Sequence, residues 1–380
     1  LRIILKSGIQ SANANHDSLS PSIMNNLSRV LAASSAALVL LAACGQGGDS
    51  SESATDEAAA PSEARVVNVY TSRHYDSDEA VYAAFTEATG IEINLLEARG
   101  DQLIERLRAE GERTPADVFV TVDAARLHRA EAEALFAPQD YAGSGVPANM
   151  IDPDGYWVGF AKRARILAVS TERVAEGEIT TYEELADPAW RGRVCTRGAN
   201  SPYNQSLLAA IIAHNGEEAA EAWAAGVVAN LARPPQGGDR DQIRAIAAGE
   251  CDVAITNHYY YAMLAASEDA GDRAAAAATR LLFPGQDGGN GAHVNITGAG
   301  IVQDAPHPEE ARAFIDFMLS DEAQRLFAEL SNEYPAMPGA QYDNPVLDSF
   351  GEFTEDDLNI SALGDNNEAA VRIFDRVGWP

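Results

Sequence analysis

The stretch Cys251-Asp252-Val253-Ala254-Ile255-Thr256-Asn257-His258-Tyr259-Tyr260-Tyr261 sets an apolar run directly before three consecutive tyrosines. Val253 to Thr256 reads as a buried strand. Open α/β sheets hold their ligands beyond the carboxyl ends of their strands, so phenols at such an end can face a cleft. Taken alone, the tyrosines read as aromatic packing at the start of the next helix, because Tyr buries much area and keeps a wet tip. The rest of the chain reverses that reading.

Outward from this run, strands and helices alternate. Towards the N-terminus, Arg65 to Thr71, Ile91 to Leu96 and Ala116 to Thr121 read as strands. Between them lie helical patterns from Asp76 or Ser77 to Gly90, with Glu79 as capping-box partner, and from Asp101 to Glu110; a third helix covers Ala124 to Leu135. Alternation of this kind means a parallel sheet covered by helices. Tyr156 to Ser170 is a β-rich run long enough to leave one lobe and enter another.

Beyond it the alternation restarts. Thr180 and Glu183 form a capping box, and Arg193 to Thr196 is a strand. Ser201 and Pro202 open a helix that ends at Asn215-Gly216. Helices follow over Glu217 to Asn230 and Asp241 to Ala248. Later strands are Leu281 to Phe283 and His293 to Ile296. Glu309 to Leu330 is helical with a break near Ser320, and a last helix covers Glu368 to Arg376.

The chain of 380 residues is 46% hydrophobic and 22% charged, enough for two lobes with sizeable cores. Its formal net charge of −30 argues against nucleic acid and anionic membrane surfaces as partners. Met24 to Arg29 looks like a true start, which makes residues 1–23 upstream translation. Val30 to Ala43 is a short apolar segment ending Leu41-Ala42-Ala43-Cys44, the pattern of a bacterial lipoprotein signal whose Cys44 becomes the lipidated first residue. Gly45 to Ala64 is a polar linker without the apolar side chains needed to offset its ordering entropy. Cys195 and Cys251 remain, an even pair in an exported protein, so a disulfide is the expectation.

The expected organisation is therefore residues 1–43 as upstream segment and signal, 44–64 as lipidated cysteine and linker, and 65–160 as the first part of lobe 1. Residues 161–292 form lobe 2. Residues 293–380 hold a return strand, the remainder of lobe 1 and the C-terminal helices. The fold class is α/β: a two-lobed periplasmic solute-binding fold with two parallel-rich sheets, hinge strands and an interlobe cleft.

Tyr75, Tyr203, Tyr259 and Tyr260 all fall at loops or helix starts, and His74 adjoins Tyr75. A set so rich in oxygen suits a hard ion. A phenol loses its proton only near pH ~10, so the ion must repel that proton strongly, as a trivalent ion does. Three phenolates cancel a 3+ charge. A fourth leaves one negative charge that Arg73 or Arg99 could offset, while neutral His74 could complete the shell.

Here the sequence resembles a known family. Ser72-Arg73-His74-Tyr75-Asp76, Ser201-Pro202-Tyr203-Asn204-Gln205-Ser206-Leu207, Gly249 to Ile255, Asn257-His258-Tyr259-Tyr260 and His293 to Gly300 are similar to motifs of the ferric-iron-binding periplasmic proteins of bacterial and cyanobacterial iron ABC transporters. The resemblance runs from about Val66 to Pro338, and five motifs in order make it specific. It implies that Tyr203, Tyr259 and Tyr260 are ligands from the second lobe. Tyr75 would be the first-lobe ligand of the histidine-plus-tyrosine subgroup, with His74 beside it in a role that varies among members. Cys195 and Cys251 occupy places where similar proteins carry a disulfide.

The implied protein is no enzyme. It carries Fe3+ as cargo, hands it to a permease and its ATPase subunit, and works as a lipid-anchored monomer. A binding protein for a small organic or anionic solute is the alternative. It would show arginines or tryptophans in the cleft motifs, where only Arg73 and Arg99 stand in the sequence.

Overall fold

The computed structural model describes residues 65–380; the signal segment, Cys44 and the linker lie outside the described residues. Among the described residues nine strands are present: β1 Val66–Thr71, β2 Glu92–Glu97, β3 Val118–Thr121, β4 Val158–Ser170, β5 Val194–Cys195, β6 Val253–Asn257, β7 Thr279–Leu282, β8 Val294–Ile301 and β9 Tyr334–Pro335. The helices are α1 Asp78–Thr89, α2 Gly100–Glu110, α3 Ala124–Ala132, α4 Pro202–Asn215, α5 Glu217–Asn230, α6 Asp239–Ala247, α7 His258–Ala265, α8 Ala270–Ala277, α9 Pro308–Met318, α10 Asp321–Ser331, α11 Pro345–Ser349, α12 Ser361–Asp365 and α13 Asn367–Val377.

The strands run in the order β2-β1-β3-β8-β4-β6-β5, with β7 and β9 also paired to β4. β1 pairs in parallel with β2 and β3, as two consecutive strand–helix–strand crossovers require. β5 and β6 are parallel as well. The pairs made by β4 and β8 are antiparallel, because these two strands carry the chain between lobes in opposite directions. Along β4, Val158 to Ala164 pair with β8 and Arg165 to Val169 with β6, so one strand serves both sheets.

Side-chain alternation sorts the interior. Leu167 and Val169 of β4 join a core with Leu207, Trp223 and Phe374, while Ile166 and Ala168 join another with Ile243, Ile246 and Leu264. The second sheet is thus covered on both faces, which explains its unbroken apolar strands. The first sheet has its own core, including Phe85, Leu103, Phe119, Trp157 and Phe314. The C-terminal segment contributes to both lobes: Leu363 of α12 enters the first core, and Ile373 and Phe374 of α13 enter the second. All of β8 is buried, and Gly298 permits its close approach to β4. A Cβ there would lie 2.7 Å from the Val158 carbonyl oxygen.

Several local expectations shift for physical reasons. Ser320 does break the long C-terminal helix, and its Oγ caps α10 by accepting from the Ala323 N–H at 3.3 Å. The capping box expected at Asp76 and Glu79 is not the arrangement found. Asp78 instead accepts from the Tyr75 N–H and turns its other oxygen to Arg73, since a buried guanidinium needs a partner more than a helix start does. At the other expected box it is Glu184 rather than Glu183 that accepts from the Thr180 N–H, beside a short 3-10 turn.

Candidate metal centre

Three elements present the four tyrosines. Tyr75 stands in the loop between β1 and α1. Tyr203 is in the first turn of α4, which Ser201 and Pro202 start. Tyr259 and Tyr260 form the first turn of α7, where β6 ends. The Tyr75 and Tyr259 hydroxyl oxygens are 3.5 Å apart, and the Tyr259 hydroxyl donates to that of Tyr203 at 3.2 Å. The Tyr260 ring lies against Tyr259 with centroids 4.2 Å apart. Donors sharing one small ion through bonds of about 2.0 Å stand roughly 2.8–3.3 Å apart, so the phenol spacing is close to that of a common shell. Among the described residues no three His, Cys, Asp or Glu side chains gather as metal ligands, which leaves the phenols as the oxygen-rich cluster.

Burial shapes the protonation of this cluster. It pushes the Tyr75 phenol up to about 12, with the neighbouring Tyr203 adding to the rise and Arg163 opposing it. Tyr259 is 1% exposed and is pushed well above the ordinary phenol range by burial, then by Tyr203 and Tyr75. Tyr260 is raised for the same reasons. Tyr75, Tyr259 and Tyr260 are therefore held as neutral phenols, and a cation bound by them must displace their protons.

A buried ionic base lies beneath. Arg73 pairs with Asp78 at 2.6 Å and with Glu333 at 2.7 Å. Arg163 pairs with Glu333 at 2.5 Å, and both arginines donate to Thr297. Burial opposes the Glu333 charge, yet Arg163 and Arg73 hold its carboxyl down at about 2. Arg165 pairs with Asp239 at 3.0 Å. The base is balanced, with each buried guanidinium matched by a carboxylate. His258 is likewise buried and held neutral, its imidazole pushed down to about 4, and its Nδ1 accepts from the Ala164 N–H at 3.1 Å.

The remaining sequence candidates fall around this cluster. His74 is exposed, with its ring stacked on Tyr75 at 5.1 Å. Arg73 lies 5.2 Å from the Tyr75 ring centroid, but its charge is already matched by Asp78 and Glu333. Arg99 precedes α2 and is exposed. It lines a cavity of about 490 Å³ together with His74, Arg126, Arg197 and Asn200. Cys195 and Cys251 are bonded to each other. Tyr261 points elsewhere, donating to the Ala276 and Thr279 carbonyls.

Sequence reasoning missed Arg163, Arg165, Arg197 and Glu333. Arg163 lies 5.8 Å from the Tyr259 ring centroid, while Arg165 and Arg197 lie 5.7 and 5.2 Å from that of Tyr203. The cleft therefore holds more arginines than Arg73 and Arg99. A signal was available for two of them, because Arg163 and Arg165 stand at alternate positions, just after Lys162, in the middle of a strand that is mostly apolar on either side.

Residues 113–352 match the bacterial extracellular solute-binding proteins. The chain belongs to this family. Among its relatives, iron uptake protein A1 of Synechocystis sp. is 44% identical over 342 residues, covering 90% of this chain and 93% of the relative. The major ferric iron-binding protein of Neisseria meningitidis serogroup B is 30% identical, with 72% of this chain and 81% of the relative covered. Among solved structures, a Trichodesmium protein in complex with iron and citrate ligands superimposes with a TM-score of 0.79 at 44% identity. That match covers 83% of this chain and all of the other. Ligand sites occur preferentially at interfaces between domains, and this cluster draws on the ends of elements from both sheets.

Proposed function

We propose that this protein is the extracytoplasmic ferric-iron-binding component of an ABC iron uptake transporter. The observation that carries this reading is the run of phenol oxygens Tyr75, Tyr259 and Tyr203, 3.5 and 3.2 Å apart and drawn from both lobes, in a relative of iron uptake proteins. Tyr203, Tyr259 and Tyr260 bind Fe3+ from the second lobe and Tyr75 from the first. His74 stands at the cleft edge and is the candidate for any remaining position.

Chemistry then sets the cycle. Neutral phenols do not attract a weakly charged ion, but Fe3+ expels their protons and gathers phenolates. Each phenolate cancels part of the charge, so the closed cleft holds little net charge over its balanced base. Closure presents a defined surface to the permease. Acidification, a competing chelator or reduction to the less charged ferrous ion weakens the bond and releases cargo. An iron affinity that did not fall with acid would contradict the protonation route.

We further propose that the protein acts as a monomer held at the membrane by lipid on Cys44. Cys44→Ser should leave it in the soluble periplasmic fraction; a variant that stays with the membrane would remove the anchor from this account. The test of the main reading is a visible spectrum of the purified protein, stripped with chelator and given ferric citrate. A phenolate-to-iron charge-transfer band that is lost or shifted in Tyr259→Phe and Tyr260→Phe supports it. A colourless protein that retains no iron through desalting would favour an organic or anionic solute, for which Arg99, Arg126 and Arg197 would be the recognising groups.

A further inference from the structure

Arg165 stands on β4 at the first position that pairs with β6, opposite Asn257. Its backbone is pinned on both sides: the N–H donates to the His293 carbonyl at 2.8 Å, and the carbonyl accepts from the Tyr182 hydroxyl. The residue is 1% exposed. From this fixed base the guanidinium reaches three elements. Nη2 donates to Asn204 Oδ1 at 2.7 Å. Nη1 donates to Asn257 Oδ1 at 2.9 Å and to Asp239 Oδ2 at 3.0 Å.

Each acceptor has a place relative to the tyrosines. Asn204 is the neighbour of Tyr203 in the first turn of α4. Asn257 stands immediately before α7, which begins His258-Tyr259-Tyr260, and its amide nitrogen lies 3.4 Å from the Tyr259 hydroxyl. Asp239 opens α6 and also accepts from the Asn257 N–H at 3.3 Å, closing the network. The guanidinium carbon is 5.7 Å from the Tyr203 ring centroid.

We propose that Arg165 is a positioning residue that sets Tyr203 and the Tyr259–Tyr260 pair at ligand spacing, with one planar fork gripping the start of each tyrosine helix. The proposal rests on the iron reading for its ligand, but the geometry concerns the protein alone. Charge by itself does not account for the arrangement, because Asp239 already neutralises Arg165. Fixed angles do account for it. A guanidinium offers several donors in one rigid plane, whereas a lysine ammonium is a point charge on a flexible stem. The disulfide ties the same two loops further back, at Cys195 and Cys251. The fork ties them at the phenols.

The test compares Arg165→Lys and Asn204→Ala with the parent protein. Three quantities are read: ferric affinity by citrate competition, the energy of the charge-transfer band, and the tyrosine bands in near-ultraviolet circular dichroism without iron. Arg165→Lys keeps the charge and loses the fork. It should weaken iron binding by about 10- to 100-fold, the range typical of groups that support a metal ligand, with a shifted band and altered tyrosine dichroism. Asn204→Ala removes one arm, should shift the same readouts less, and decides the matter if the lysine variant fails to fold. Parent-like affinity, band and dichroism in Arg165→Lys would overturn the proposal. If the parent itself takes up no iron, the iron reading falls, and the metal-free dichroism then decides positioning: altered bands uphold it and unaltered bands end it.

Discussion

Tyr259 and Tyr261 are two residues apart and have opposite fates. The Tyr259 hydroxyl meets the phenols of Tyr203 and Tyr75, while that of Tyr261 is spent on two backbone carbonyls. Tyr259→Phe should therefore lower ferric affinity by more than about 100-fold, exceeding the usual loss from a merely supporting group, with little change in melting temperature. Tyr261→Phe should do the reverse, costing about 1 kcal/mol of stability and leaving the iron spectrum intact. Spectral titration and urea unfolding of both variants check the pair.

Glu333 makes the second prediction at this scale. Its carboxylate is shared by Arg73 and Arg163, and all three side chains are buried. Glu333→Gln leaves a buried positive charge without its partner, at a cost of roughly 3–5 kcal/mol. The pH dependence has a definite sign. The folded carboxyl sits at about 2, below the ordinary value near ~4.3. Its contribution is complete above the ordinary value and fades as pH falls through about 2. Urea midpoints measured between neutral pH and pH ~2 should converge for parent and variant at the acid end. A gap that stays constant with pH would show that Glu333 does not act through its charge. The run at the end of β6 reads by itself as packing, and only Tyr75 and Tyr203 at other loop and helix starts, with the resemblance they carry, turn the sequence towards a phenol site. This ion network was not legible, since Glu333 is far from both arginines along the chain and nothing local pairs them.

Among elements, the helices were legible where their stop signals are strong. The helix from Glu217 to Asn230 and the one ending at Asn215-Gly216 coincide with α5 and α4. α6 starts at Asp239 rather than Asp241, because Asp239 is fixed by Arg165, a partner that no local pattern displays. The antiparallel pairing of β4 and β8 was also hidden, since alternation of strands and helices speaks only for the segments that alternate. The Cys195–Cys251 bridge belongs to this scale too. Both cysteines are buried, one in β5 and the other just before β6. The bridge closes a loop of 56 residues, for which loop entropy gives about 4 kcal/mol. The double variant Cys195→Ser/Cys251→Ser should lose stability of that order in urea and bind iron more weakly, because Tyr203 and Tyr259 both follow the bridge. An unchanged urea midpoint would show that the bridge constrains little.

For the whole molecule, the two lobes were legible because a single β-rich run, Tyr156 to Ser170, is too long for one small sheet. β4 fulfils that reading by serving both sheets. How nearly the lobes meet was not legible, since it depends on side chains contributed from both sides of the cleft. In the structure they meet closely enough for Tyr75 to reach Tyr259, and Tyr259 is left 1% exposed. This burial governs the rate law of iron exchange. On the proposed iron reading, a competing chelator reaches an ion bound to Tyr259 only after the lobes part, so transfer should be first order in protein and independent of chelator once chelator is abundant. The plateau rate is the opening rate of the hinge, and it should be the same for chelators of very different strength. Stopped-flow decay of the iron band against rising concentrations of two unlike chelators measures it. A rate that climbs without limit would mean that cargo is taken from the closed protein directly. With a shared plateau, the lifetime of the loaded carrier is set by its hinge, and the strength of the scavengers around it decides only where the iron goes next.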